Sequence, residues 1–304
     1  MAMVSIVIPT FNRASLLEEC IISILKQSYT DYEIIVIDDG STDNTLEILG
    51  KYAQVYKQKI IFVEQERKGP AAARNKGISL ARGEIILFID DDVVTDKDWI
   101  KYIISDFSQP DVGIVGGRTL LKRLDKFNVL YYDNGFSASA NPSYIPTNNA
   151  AFLKEALNKV YDFDSRFIYP GLEDADICLR IRKIGYRLKL NNNAVVYHYE
   201  NYSFKGWLEK NYQYGYGNST FLDLHAELRV FCPYYYLCIF PLVLRDAARF
   251  VRTYYVIKKK VGFMVIVSIF NLACLQRLFY TIGQLAYILN NKKYKLLFYK
   301  LRTI

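Results

Sequence analysis

The chain has 304 residues, 51% of them hydrophobic and 23% charged, a composition that excludes a disordered or fibrous protein and leaves room for one large domain with an appendage. Its five cysteines (Cys20, Cys178, Cys232, Cys238, Cys274) are scattered and form no CxxC pair, which argues against a disulfide framework and a structural zinc site and fits a reducing compartment. The net charge of +8 is uneven: residues 231–304 carry twelve Lys or Arg against one acid, Asp246, for +11, and the first 230 residues come to −3.

The N-terminal "MAMVSIVIPT" has no basic segment before its short apolar run, so no secretory signal is read and a cytoplasmic protein is expected. "VSIVIP" reads as a buried strand, and "ASLLEECIISILKQ" places Leu16, Leu17, Cys20, Ile21, Ile24 and Leu25 at helical spacing. "YEIIVID" and "KIIFVE" are the next strands, with the helix "TLEILGKYA" between them. Pro70 suits the first helical position of "PAAARNKGISLAR", Gly83 is expected to end that helix, and "EIILFID" is a fourth strand. This alternation predicts an α/β fold with a mostly parallel sheet between helices, whose ligands bind outside the carboxyl ends of the strands.

Those ends read "PTFNR", "DDGSTDNT" and "DDD" for the first, second and fourth strands. Three consecutive carboxylates, Asp90, Asp91 and Asp92, repel one another unless a cation or a set of donors compensates. Hard oxygen ligands suit Mg²⁺ or Mn²⁺ bridging the phosphates of a nucleotide, with Asp90 and Asp92 serving ribose and metal. The alternative is an acidic cluster that only caps the next helix. No GxGxxG follows the first strand and no GxxxxGK[ST] occurs, which removes the main support for dinucleotide and P-loop readings.

"VSIVIPTFNR", "IIVIDDGSTDNT", "KGPAAARNKGI" and "ILFIDDDVV", in this order, resemble a family 2 glycosyltransferase of GT-A fold over about residues 4–215. The resemblance implies a nucleotide-sugar donor, a divalent cation and inversion at the anomeric carbon. It assigns Asp39 to the base, with Pro9 and Thr10 beside it, and Arg74 to the neighbourhood of the donor. Asp90 and Asp92 match its DxD motif, and Asp91, in the variable middle position, is counted with Asp90 on the donor side. Each has a plainer alternative: Asp38 holding a turn, Asp43 capping a helix, Arg74 pairing with a carboxylate.

In "YPGLEDADICLRIRKIGY" a helix is predicted to begin at Glu173-Asp174. Counting 100° per residue puts Asp174 on the stripe of Ile177, Cys178 and Ile181, facing inward, and Asp176 outside in a solvated pair with Arg180. The resemblance makes Asp174 the general base of an ED motif, with Glu173 on the acceptor side. It also places His198, at the end of the β-rich "NNAVVYHYE", as a metal ligand beside Asp92. In "TNNAAFLKEAL" it offers Asn149 to the sugar, although an Asn in a turn before a helix often only caps it. "NYQYGYGNS" lacks the QxxRW of processive members, which favours transfer of one or a few sugars.

The expected organisation is a GT-A domain over 1–230, with nucleotide-sugar binding in 1–120 and the acceptor side and base in 121–230. Residues 231–304 are expected to be a basic, aromatic-rich helical region lying on the inner face of the cell membrane. Their uncharged runs of 14, 16 and 14 residues fall short of the roughly 20 that span a bilayer, and Arg277 interrupts the last two. Lys258 to Lys260 and Lys292, Lys293 and Lys295 suit anionic lipid. The expected partners are a UDP- or dTDP-type donor, a glycan or lipid-linked acceptor, anionic lipid, no nucleic acid, and a second copy of the chain as an option. Two other functions compete: a polyprenyl-phosphate sugar synthase, whose phosphate acceptor needs no base, and a silent sugar-nucleotide or membrane-binding module.

Overall fold

The structure is a computed structural model that describes residues 3–122, 142–199, 203–225 and 263–290. Its contacts divide these into two units. One holds residues 3–122, 142–168 and 173–199; the other holds 169–172, 203–225 and 263–290.

The first unit is built on β1 (Val4–Thr10), β2 (Tyr32–Asp38), β3 (Ile60–Glu64), β4 (Ile85–Ile89), β5 (Val93–Thr95), β6 (Val112–Leu121), β7 (Asn149–Leu153) and β8 (Arg187–His198). They form one sheet in the order β3-β2-β1-β4-β7-β6-β8-β5. The half from β3 to β4 is parallel, as its sequence rhythm predicts. Beyond it β7 runs antiparallel to both β4 and β6, and β5 runs antiparallel to β8, so the whole sheet is mixed.

Side chains alternate between the two faces of a strand. Ile6, Ile8, Ile34, Val36, Leu87 and Ile89 therefore share a core with Leu17, Cys20, Ile21 and Ile24 of α1 (Ala14–Leu25), Leu49 of α2 (Thr45–Val55) and Trp99 of α4 (Trp99–Ser105). The opposite face is covered by α3 (Pro70–Leu80), which lies directly on β1: a Cβ at Gly77 would come within 2.2 Å of Val7 Cγ1. Phe88 on that face meets Phe152 and Phe163 edge-on, both at 5.3 Å. Gly83 does not end α3, which stops at Leu80 with Ala81 already extended. A side chain at Gly83 would strike the backbone of Ser5 and Met3, so glycine is needed there for the chain to pass β1.

Helix α6 (Glu173–Lys183), which follows α5 (Lys154–Lys159), buries Ile177, Cys178 and Ile181 as expected, and Glu173 and Asp176 with them. Asp176 therefore lies inside rather than on the outer face, and Asp174 is half-buried. Asp176 accepts from Arg180 Nη2 at 2.6 Å and Nε at 2.9 Å, and Arg180 Nη1 donates to the Val160 carbonyl. The i,i+4 pair is thus folded into the protein rather than solvated.

The second unit pairs α7 (Phe204–Leu224) with α8 (Phe263–Asn290). "NYQYGYGNS" lies inside α7, and its Gly215, with Gly283 of α8, lets the helices touch backbone to backbone. A Cβ at Gly215 would lie 1.8 Å from the Tyr280 carbonyl oxygen, and one at Gly283 would lie 1.9 Å from that of Tyr212. Tyr216 stands edge-on to both Tyr169 and Tyr287 at 5.2 Å, and Tyr287 donates to Asp223 at 3.0 Å. Helix α8 runs unbroken through Arg277, whose guanidinium lies 5.2 Å from the Tyr280 ring centre. The expectations for residues 231–262 and 291–304, those for Lys258 to Lys260 and for Lys292, Lys293 and Lys295 included, lie outside the described residues. Among those with described side chains, no helix is long and apolar enough to cross a membrane.

Asp176→Ala should cost about 3 kcal/mol in urea unfolding, since it strands a largely buried Arg180. A loss below about 0.5 kcal/mol is what an exposed pair would give, and would return Asp176 to the outer face.

Candidate active site

The carboxyl ends of β1, β2 and β4 converge as the parallel half requires, and the register aligns Thr10 with Asp38. Asp38 is spent on its own loop, accepting from the Ser41 amide and hydroxyl, the latter at 2.5 Å. Asp43 accepts from the Ala14 and Thr45 amides. Asp39 is buried, and its two oxygens accept from Gln65 Nε2 at 2.7 Å, the Lys68 amide at 2.8 Å and the Gly69 amide at 2.9 Å. It therefore sets the path of the loop between β3 and α3. Pro9, half-buried, pairs with Ile37 inside the sheet.

The three aspartates after β4 point to different neighbours. Asp91 is buried, accepting from Thr10 Oγ1 at 2.7 Å and Arg13 Nη1 at 3.0 Å. Loss of hydration pushes it up to about 6; Arg13 pulls the other way, and Asp92 adds to the rise. Asp91 is thus an anchor beneath the strand end. Asp92 accepts from the same Arg13 Nη1 at 2.7 Å through one oxygen and lies 2.9 Å from His198 Nε2 through the other. Asp90 is half-exposed, and Arg74 Nη2 reaches it at 3.2 Å.

His198 arrives because β5, which starts immediately after Asp92, pairs Val93 with His198, and the Tyr199 amide donates to the Asp92 carbonyl. The result is a group of one ligand atom each from Asp90, Asp92 and His198, all within 4.8 Å of one another. Two carboxylates and an imidazole at that spacing are a donor set that Mg²⁺ or Mn²⁺ accepts. Asp90 joins Asp92 and His198 in this group, the metal option left open for it by the sequence.

Arg74, buried in α3, connects this group to α6. Its Nη1 donates to Glu173 Oε1 at 2.9 Å while Nη2 holds Asp90. Burial would lower its pKa, but the Glu173 and Asp90 carboxylates outweigh that and hold it charged. Asp174, next to Glu173, is pushed up to about 7, first by loss of hydration and then by the charge of Glu173. A carboxyl group that titrates near neutrality can act as a base or an acid. Asn149 belongs to β7, not to a turn. It is buried, its Oδ1 accepts from Trp99 Nε1 at 2.8 Å and its Nδ2 donates to the Ala194 carbonyl, so its amide is used inside the protein.

Arg13 is the residue that sequence reasoning passed over. The signal was present: it is the cation that closes "PTFNR", one loop away from three carboxylates.

A mixed sheet between helices with an acidic DxD strand end is the arrangement of a glycosyltransferase of GT-A fold. The chain belongs to glycosyl transferase family 2, whose model matches residues 5–167. It is similar to glycosyltransferase AglE of Haloferax volcanii, at 29% identity over 75% of this chain and 77% of that protein. A poly(ribitol-phosphate) beta-glucosyltransferase of Bacillus spizizenii is 37% identical over 40% of this chain, which matches only 21% of that enzyme's length. In fold it resembles the mannosyltransferase PcManGT from Pyrobaculum calidifontis, solved with GDP-Man and Mn²⁺, at a TM-score of 0.67 and 19% identity over 96% of this chain and 88% of that one.

Replacing Arg74 by Met removes the cation that Glu173 and Asp90 share and should cost about 3–5 kcal/mol in chemical denaturation. Adding Glu173→Gln should recover part of it, with a coupling of about 1–3 kcal/mol. Strictly additive losses would show that the two groups do not support each other.

Proposed function

We propose that the chain is an inverting, metal-dependent glycosyltransferase that moves a sugar from a UDP- or dTDP-type donor to a hydroxyl of a glycan or lipid-linked glycan precursor, as in surface-polysaccharide assembly. The observation that carries this reading is the Arg74 bridge, which ties Asp90 of the metal-ligand group to the helix start bearing Asp174. Asp90, Asp92 and His198 would hold the cation. A bound Mg²⁺ or Mn²⁺ supplies charge neutralisation to the departing diphosphate. Asp39, Pro9 and Thr10 border the base, and Asp91 shapes the strand end from below.

Asp174 is the general base in this scheme. It takes the proton of the acceptor hydroxyl as that oxygen bonds to the anomeric carbon and the bond to the diphosphate breaks. The raised pKa of this half-buried carboxyl keeps it basic enough to take a proton near neutral pH. An acceptor phosphate, already ionised, would need none of this, and that separates the scheme from a polyprenyl-phosphate sugar synthase. A silent binding module would leave the same carboxyl without work.

Exposed Leu278, Ile282 and Leu285 favour a membrane-surface role for α8. At i, i+4 and i+7 they form one apolar stripe, with Gly283, Gln284 and Tyr287 buried on the other side. Lys292, Lys293 and Lys295 follow in sequence, and this combination suits the inner, anionic face of a cell membrane.

Asp174→Asn should bind donor normally in calorimetry yet lose about 10²- to 10⁴-fold in transfer. The parent kcat/KM should fall about tenfold per pH unit below about 7, as the base becomes protonated, and this limb should vanish in the variant. Transfer to a hydroxyl acceptor within a few-fold of the parent would place the base elsewhere. For the membrane, a variant with Ser at 278, 282 and 285 should no longer co-sediment with phosphatidylserine vesicles that pellet the parent. Equal sedimentation of both would remove α8 from the contact.

A further inference from the structure

The strand end that gathers Asp90, Asp91 and Asp92 already has a cation of its own. Arg13 contacts Asp91 at 3.0 Å and Asp92 at 2.7 Å, and both contacts run through the single nitrogen Nη1. Asp91 has no solvent-facing role: it is buried, and its second oxygen is held by Thr10. Asp92 is different, because it also belongs to the ligand group with Asp90 and His198. One carboxylate thus serves both a guanidinium and the place proposed for a divalent ion. The Arg13 side chain is 46% exposed, so it can move without unpacking the core. Each guanidinium carries five N–H donors in a fork suited to phosphate oxygens, and the two described contacts use one nitrogen.

Resting on the metal site proposed above, we propose that Arg13 is the resident counter-ion of this acidic strand end. It partly gives way when a divalent cation enters between Asp90, Asp92 and His198, and it then turns its free fork to the donor diphosphate. Two consequences follow from charge alone. Arg13 opposes a cation that arrives without nucleotide, because two like charges share Asp92. A diphosphate relieves that opposition by accepting the displaced guanidinium, so cation and nucleotide bind better together than apart. Such coupling is reciprocal. Arg13 is in this sense a positioning residue, acting through the ligands and the phosphates rather than on the anomeric carbon.

The test measures Mn²⁺ binding by electron paramagnetic resonance on the full chain, alone and with UDP or GDP, for the parent and for Arg13→Met, Arg13→Gln, Arg13→Lys and Asp92→Asn. The two neutral variants should bind Mn²⁺ alone about tenfold more tightly, the order expected on removing one like charge from a half-exposed site. The nucleotide's enhancement of Mn²⁺ binding should shrink by a similar factor in both, and Arg13→Lys should stay near the parent. Melting with EDTA should show both neutral variants less stable than the parent, with a larger gain on adding Mn²⁺. Equal or weaker Mn²⁺ binding in the neutral variants, while Asp92→Asn abolishes it, would overturn the proposal and leave the metal site standing. Mn²⁺ binding that is absent in the parent, or unaffected by Asp92→Asn, would overturn both. If neither neutral variant folds even with Mn²⁺, Arg13 is a fixed structural tie and the proposal falls.

Discussion

Arg74 sits where the sheet edge carrying the aspartates meets the helix carrying Glu173 and Asp174, and the geometry of both sides depends on it. Five carboxyl groups, Asp90, Asp91, Asp92, Glu173 and Asp174, are gathered at this edge, and two of them, Asp91 and Asp174, are pushed above the ordinary carboxylate range, first of all by loss of hydration. Bringing such groups out of water costs several kcal/mol each unless cations and donors answer them. Arg74 answers Asp90 and Glu173 together, and Arg13 answers Asp91 and Asp92. The division is unequal in burial: Arg74 is enclosed and fixed, whereas Arg13 is open to solvent. One guanidinium behaves as part of the scaffold and the other as part of the site.

The parallel half of the sheet was legible because β1, β2 and β4 are continuous apolar runs that stop at polar residues, the pattern of strands buried on both faces. The acidic strand end was legible because "ILFI" runs straight into three aspartates. The remainder depends on contacts far apart in sequence. Nothing in "NAAFL" says that it will lie antiparallel between β4 and β6, or that Asn149 will hold the Trp99 indole instead of a ligand. Helix α6 shows the limit of periodicity: the spacing gives the stripe of Ile177, Cys178 and Ile181, but not the burial of Asp176 with Arg180 or of Glu173 with Arg74, and a local count cannot see a partner 99 positions away. Arg13 was overlooked for the opposite reason, because a lone arginine after a strand reads as surface until the carboxylates beside it are placed.

The two units are held by different means. The first is a layered core in which branched aliphatic side chains fill the space between sheet and helices. The second brings two helices into backbone contact at Gly215 and Gly283 and surrounds the crossing with tyrosine rings. Its stability relies on the absence of side chains at two positions, so it has little capacity to absorb substitution there.

The pairing of Val93 with His198, and of the Tyr199 amide with the Asp92 carbonyl, has a consequence for discrimination between ions. The imidazole and the carboxylate are borne by adjacent rungs of one ladder, so they advance and retreat as a single piece. A rigid pair of this kind works as a caliper set to one opening. Calcium, with its longer bonds to oxygen of about 2.3–2.6 Å and its taste for six to eight ligands, asks for an opening wider than the 2.0–2.1 Å or so that suits magnesium. Under the metal role proposed for these residues, this pairing favours the smaller ion to the extent that it keeps the two side chains close together.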